Sequence, residues 1–146
     1  FEVSEYVMPG LGGKKMWRQH AENTARVLNE INPHFIRMRP LVPSKNTPLI
    51  EAYRSGEFEL TSPQERLLEI GLLIKNLEVT SRVCFDHNNN TLYRSENSLI
   101  PLMTQDYNGY KFPEEKETVL ELVNKGLKMD ESLLYDVRER AGLLSI

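Results

Sequence analysis

The chain has 146 residues, 40% hydrophobic and 27% charged, with a formal net charge of -3 and a pI near 5.7. That length suits one domain in which about two thirds of the surface can be buried, and the apolar content with so small a charge excludes disorder as the overall state. The longest apolar runs, residues 70–74 and 99–103, are too short to span a bilayer, and the acidic pI leaves no footprint for nucleic acid. A single Cys excludes an internal disulfide, a Cys-rich zinc site and a full set of iron–sulfur ligands. No signal-peptide pattern opens the sequence, so the expectation is a soluble, cytoplasmic protein.

Residues 1–8 (FEVSEYVM) read as a strand already under way at the first residue, which suggests a segment of a longer protein. Pro9-Gly10-Leu11-Gly12-Gly13 then turns into a helix whose Trp17, Ala21, Thr24, Leu28 and Ile31 share one face. Asn32-Pro33 stops it, because proline disfavours helical geometry in the residue before it. A second strand is predicted over 35–42, followed by a turn-rich stretch and a short helical segment over 50–55 closed by Gly56. The next helix carries its own start signal. Ser62 is a candidate N-cap, Pro63 takes the first helical position, and Glu65 follows three residues after the cap. Leu67, Ile70, Ile74 and Leu77 form its apolar stripe. A third strand over 79–85 leads into the polar loop Asp86-His87-Asn88-Asn89-Asn90.

Strand–helix–strand–helix–strand calls for parallel strands joined by crossovers. Residues 91–146 are expected to form a loop and helical C-terminal extension. One helix would open at Pro113 with Glu114, Glu115 and Glu117 in its first turn, and bury Val119, Leu122, Val123 and Leu127. A last helix would run from an N-cap at Asp130 to Gly142, burying Leu133, Leu134, Val137 and Ala141.

Three features are candidates for chemistry. Gly10, Gly12 and Gly13 lie between a strand and a helix start, where free N–H groups can hold an anion, or where glycine only relieves a tight turn. Arg37 and Arg39, two apart on a strand, point to one side and Ile36 and Met38 to the other. Two guanidiniums on one face need carboxylates, phosphate or water, unless the strand is an edge and they are solvated. His87 beside Asp86 at a strand end suits acid/base duty or simply a polar loop. His20 and His34 read as ordinary boundary residues, and Cys84 as a buried small hydrophobe. No Ser/His/Asp signature and no paired catalytic carboxylates stand out.

The stretch Tyr6-Val7-Met8-Pro9-Gly10-Leu11-Gly12-Gly13 resembles the strand, Gly-Leu-Pro-Gly turn and helix start of radical S-adenosylmethionine (radical SAM) enzymes. The likeness is to the branch of the oxygen-independent coproporphyrinogen oxidases and elongator-type catalytic subunits. Residues 28–41 (LNEINPHFIRMRPL), then Asn46-Thr47-Pro48-Leu49, then Ser62-Pro63-Gln64-Glu65 with Leu77-Glu78, resemble the following segments in order, so the resemblance covers residues 1–90. It implies a partial (β/α) barrel in which a three-cysteine motif holds a [4Fe–4S] cluster that cleaves S-adenosylmethionine. With only Cys84 here, this chain would be the back half of that barrel: an α/β fragment of about three parallel strands with flanking helices, not catalytic alone. Asn46 stands where the family has Gly.

By resemblance, Met8 packs on the adenine, Tyr6 lines the ribose or substrate side, and Gly10 leaves room for the cofactor. Arg39 and Leu41 lie near the adenine, and Arg37 and Arg39 face a carboxylate of the methionine moiety or the substrate. S-adenosylmethionine and the [4Fe–4S] cluster would belong to the parent protein, with neither bound to this chain alone. The rival readings are a non-catalytic α/β module with a phosphate-binding glycine turn, or an assembly element. An open half barrel would expose a strand edge and an apolar face, so self-association is expected.

Overall fold

The computed structural model describes residues 1–143. Four strands form one sheet: β1 (Ser4–Val7), β2 (Phe35–Met38), β3 (Arg82–Cys84) and β6 (Tyr110–Lys111), in the order β1-β2-β3-β6. The first three run parallel and β6 pairs antiparallel to β3. A separate antiparallel hairpin joins β4 (Leu92–Ser95) and β5 (Ser98–Pro101). The fold is therefore mixed α/β with three parallel strands in chain order, and among the described residues the sheet does not close into a barrel.

Helices α1 (Gly13–Ile31) and α3 (Pro63–Asn76) make the crossovers, α2 (Pro48–Ser55) precedes α3, and α4 (Lys116–Lys128) packs beside α3. Val7, Ile36, Met38, Val83 and Phe85 cluster with Ala21, Ala25 and Leu28 of α1, Leu67, Ile70, Leu73 and Ile74 of α3, and Val119 and Val123 of α4. Since side chains alternate across a strand, these contacts put α1, α3 and α4 on one face of the sheet. The register brings Tyr6, Arg37 and Cys84 side by side on the other. No helix among the described residues is long and apolar enough to cross a membrane.

Local chemistry accounts for the element ends. Asn32 closes α1 in the left-handed region (φ 45°), and its Oδ1 accepts from the Thr80 N–H, tying the helix end to the approach to β3. Gly56 closes α2 with φ 80°. Asn46 adopts φ 63°, the conformation that makes asparagine a workable replacement for glycine at this turn. Ser62 caps α3, its hydroxyl accepting from the Glu65 N–H at 3.2 Å, with Pro63 in the first turn. Ser62→Ala is expected to cost about 1 kcal/mol by loss of this cap, read as a lower urea midpoint at unchanged slope.

The structure departs from the sequence reading in several places. The α1 stripe is Ala21, Ala25 and Leu28, while Ile31 is exposed beside the helix end. Residues 91–112, expected to be an irregular loop, contain both the β4–β5 hairpin and β6. The predicted last helix is instead a 3-10 turn (Glu131–Leu133) and a short helix α5 (Val137–Arg140). Each has its own aspartate cap: Asp130 accepts from Ser132 N–H, and Asp136 from Arg138 N–H. Between the two caps the chain is extended, with Tyr135 N–H donating to Leu92 O of β4, so Leu134 is buried and Leu133 exposed.

Candidate functional site

The sheet face away from α1, α3 and α4 carries a charged cluster built by strand alternation. Arg37 stands on β2, flanked by β1 and β3, and is only 3% exposed, so the edge-strand alternative does not apply. Its Nη1 donates to Asp86 Oδ2 and to Tyr107 O, both at 3.0 Å. Its guanidinium lies 4.0 Å from the Tyr107 ring centre and 4.8 Å from that of Phe35. Arg39 Nη1 donates to Asp86 Oδ1 at 3.0 Å, and its guanidinium sits 5.1 Å from the Tyr6 ring centre. The carboxylate that two same-sided arginines require is thus supplied from within the chain, at the end of β3.

Burial pushes the Asp86 carboxyl up, but the hydrogen bond from Arg39 and the charges of Arg39 and Arg37 outweigh it and hold the group below the usual carboxylate range. Two guanidiniums against one carboxylate leave a net positive centre. Arg37 Nη2 is buried and has no hydrogen-bond partner among the described residues. Beside this centre Tyr6 is 66% and Met8 41% exposed, so the face offers an apolar and aromatic strip next to positive charge. That pairing suits an anionic ligand with a flat or apolar body.

Gly10 and Leu41 lie elsewhere. Gly10 has φ +94°, and a Cβ there would stand 2.4 Å from the Arg66 guanidinium, so the missing side chain makes room for Arg66. Arg66 donates from Nε to Thr61 Oγ1 and from Nη1 to Leu41 O. Burial lowers its pKa, with the charges of Glu69 and Asp136 opposing. Glu69, also buried, accepts from the Gly10 N–H at 2.8 Å through Oε2, while its Oε1 lies 2.7 Å from His20 Nδ1. The N–H groups of Leu11, Gly13 and Lys14 bond to Met8, Gly10 and Glu59 carbonyls. A protein carboxylate already holds the first N–H of the glycine turn.

Of the six predicted site residues, Tyr6, Met8, Arg37 and Arg39 come together, and Gly10 and Leu41 gather around Arg66. The sequence reading gives Asp86 only as the neighbour of His87 and does not single out Tyr107, Arg66 or Glu69. Arg66 and Glu69 flank Leu67 and Ile70 on α3, so their place beside the apolar stripe was the available signal. His87 makes no bond to its neighbour's carboxylate; its Nδ1 accepts from the Asn89 N–H.

Cys84 is buried, and burial pushes its thiol up toward the neutral form. One such thiol does not fit the ligand set of an iron–sulfur cluster. Among the described residues no group of three or more His, Cys, Asp or Glu is placed to hold a metal ion. Compared with family models, curated proteins and solved structures, the chain matches none.

Proposed function

We propose that this chain is the back portion of a radical SAM barrel and forms part of its cofactor and substrate wall. One observation supports the reading above all. Three parallel strands in chain order keep α1, α3 and α4 on a single face and leave Tyr6, Met8 and Arg39 on the opposite one, as barrel staves turned toward a lumen would. In the parent protein other residues would hold the iron–sulfur cluster, and the chemistry it would supply is one-electron reductive cleavage of S-adenosylmethionine with release of methionine. Met8 and Tyr6 would pack on the nucleoside and exclude water from it. Arg39, a quarter exposed, would orient a carboxylate of cofactor or substrate while Asp86 fixes its guanidinium.

The test is S-adenosylmethionine binding and reductive formation of 5′-deoxyadenosine by the parent protein purified without oxygen. Met8→Asp is expected to weaken binding about tenfold or more, since it removes the apolar contact and sets a carboxylate to be desolvated where the adenine would pack. Folding should be unchanged, because Met8 is exposed. A parent protein lacking a cluster-type cysteine triplet, or one that binds no S-adenosylmethionine, overturns the proposal. The same reading leaves the β1 edge unpaired in the isolated chain, so a dimer or larger species is expected by light scattering, and a clean monomer counts against it.

A further inference from the structure

Strand β1 is an edge of the sheet and pairs only with β2. In that pairing Phe35 N–H donates to Val3 O and Arg39 N–H to Val7 O, so the odd-numbered residues of β1 turn their backbone groups toward β2. Those directions alternate along a strand, and Ser4, Tyr6 and Met8 therefore turn theirs to the open side. Beside this edge α1 leaves an open groove of about 740 Å³ between itself and β1. Tyr6, Met8, Leu11, Val27 and Ile31 line it, five of the twelve large apolar side chains that stand exposed among the described residues. Such a concentration marks an interaction surface, unlike the scattered exposure ordinary on a monomer.

No Lys or Arg lines the groove, and Glu5 is its one carboxylate, so it offers nothing to an anionic partner. Open backbone groups beside an apolar helix flank call for a strand backed by another apolar helix. The charges of α1 say which one. Lys14 and Lys15 lie in its first turn and Glu30 in its last, the reverse of what the dipole of a lone helix favours. Beside an antiparallel copy of itself, each basic end of α1 meets the acidic end and the negative dipole end of its counterpart. A two-fold axis normal to the sheet makes that arrangement. It pairs β1 with β1 antiparallel and keeps both α1 helices on one face, with their grooves turned toward each other.

We propose that a second copy of this chain occupies the groove, joining the two sheets into one through β1, with Tyr6 of each copy opposite Tyr6 of the other. This register turns the open N–H and C=O groups of both strands toward each other and sets Ser4 opposite Met8. It also brings the two Tyr6 rings together as a cross-strand aromatic pair and places Glu5 opposite Val7. Sliding the strands so that Ser4 faces Tyr6 would put Glu5 directly opposite Glu5, a like-charge pair that disfavours it. The proposal deepens the self-association that the barrel-portion reading expects, and rests with it on the open β1 edge.

The experiment is sedimentation velocity of the 146-residue chain over a range of concentrations. A dimer is expected whose share rises with concentration and beyond which nothing larger forms. Val27→Glu, at a half-exposed position in the groove, is expected to weaken dimerisation about tenfold or more, since it would bury an unpaired carboxylate. Its far-ultraviolet circular dichroism should be unchanged, and Val27→Leu should dimerise like the parent chain. Cross-linking reads the register. Tyr6→Cys, with its Cα about 5.5 Å from its counterpart, is expected to be joined by a short bismaleimide. Ser4→Cys, about 14 Å from its own counterpart along the strands, is not. Cys84 is buried and stays out of the reaction. A monomer at every concentration, a dimer indifferent to Val27→Glu, or cross-linking through Ser4→Cys in place of Tyr6→Cys overturns the proposal. The last two outcomes leave the cofactor-wall reading standing, which S-adenosylmethionine binding decides on its own.

Discussion

Replacing Asp86 with Ala is expected to destabilise the protein by about 3–5 kcal/mol, because it strands the buried Arg37 without its counter-charge. Arg37 cannot swing out to water. Tyr107 and Phe35 stack on its guanidinium and the β1 and β3 backbones flank it. Arg39 loses the same partner but is partly exposed and can rehydrate. The loss should therefore track Arg37, and adding Arg37→Met to Asp86→Ala is expected to recover most of it, since an apolar side chain of similar volume needs no partner. Urea midpoints of the two single variants and the double variant measure the coupling.

The pH dependence follows with a definite sign. The Asp86 carboxyl titrates lower in the folded protein than its unfolded value of about 3.9. Its contribution is full above that unfolded value and is lost as the pH falls below it, through the lower folded value. Asp86→Asn should flatten this acid limb of the stability curve while leaving its shape near neutrality unchanged.

Gly109→Ala is expected to cost about 3 kcal/mol or more, from two causes that add. Gly109 has φ +55°, and a Cβ there would stand 2.3 Å from Val83 O and 2.8 Å from Cys84 Cα. Those are backbone atoms of β3, inside the sheet, and cannot give way as a flexible side chain would. The segment carrying Tyr107 must lift instead, uncovering Arg37 and the Cys84 thiol together. The expected readouts are a lower melting temperature and faster labelling of Cys84 by a thiol reagent. Gly56→Ala is the matched control. Its φ of +80° is equally unsuited to alanine, yet nothing lies within 4 Å of a Cβ there, so only the backbone strain of about 1 kcal/mol is expected.

What the sequence disclosed and what it hid divide along the range of the interactions. The parallel βαβαβ order was legible because Leu67, Ile70, Ile74 and Leu77 repeat at helical spacing and because Ser62-Pro63 and Asn32-Pro33 are a local start and a local stop signal. The β4–β5 hairpin was not, since its strands carry no apolar alternation and β5 is exposed throughout. β6 is two residues long and exists only because β3 is there to pair with it. Arg37 of β2 and Arg39 just beyond its end announced that some anion must face them. Which anion depended on Asp86, 47 positions from Arg39 and 49 from Arg37, a separation no local pattern encodes. Arg66 and Glu69 were concealed in the same way, one helix step from an apolar stripe that drew the reading to itself. Gly10, read as an opening for a ligand, is an opening for Arg66.

The short β6 strand makes the two borders of the sheet unequal. Past it, Tyr110 and Lys111 offer a ladder only two residues long, and Pro113, having no amide hydrogen, cannot extend it. Recruitment of a further chain to this sheet by backbone pairing is thereby confined to the opposite border, so two such units pairing there would close as a two-fold dimer and could not propagate an array. A short peptide carrying the Ser4–Val7 sequence, supplied in trans, would compete there alone.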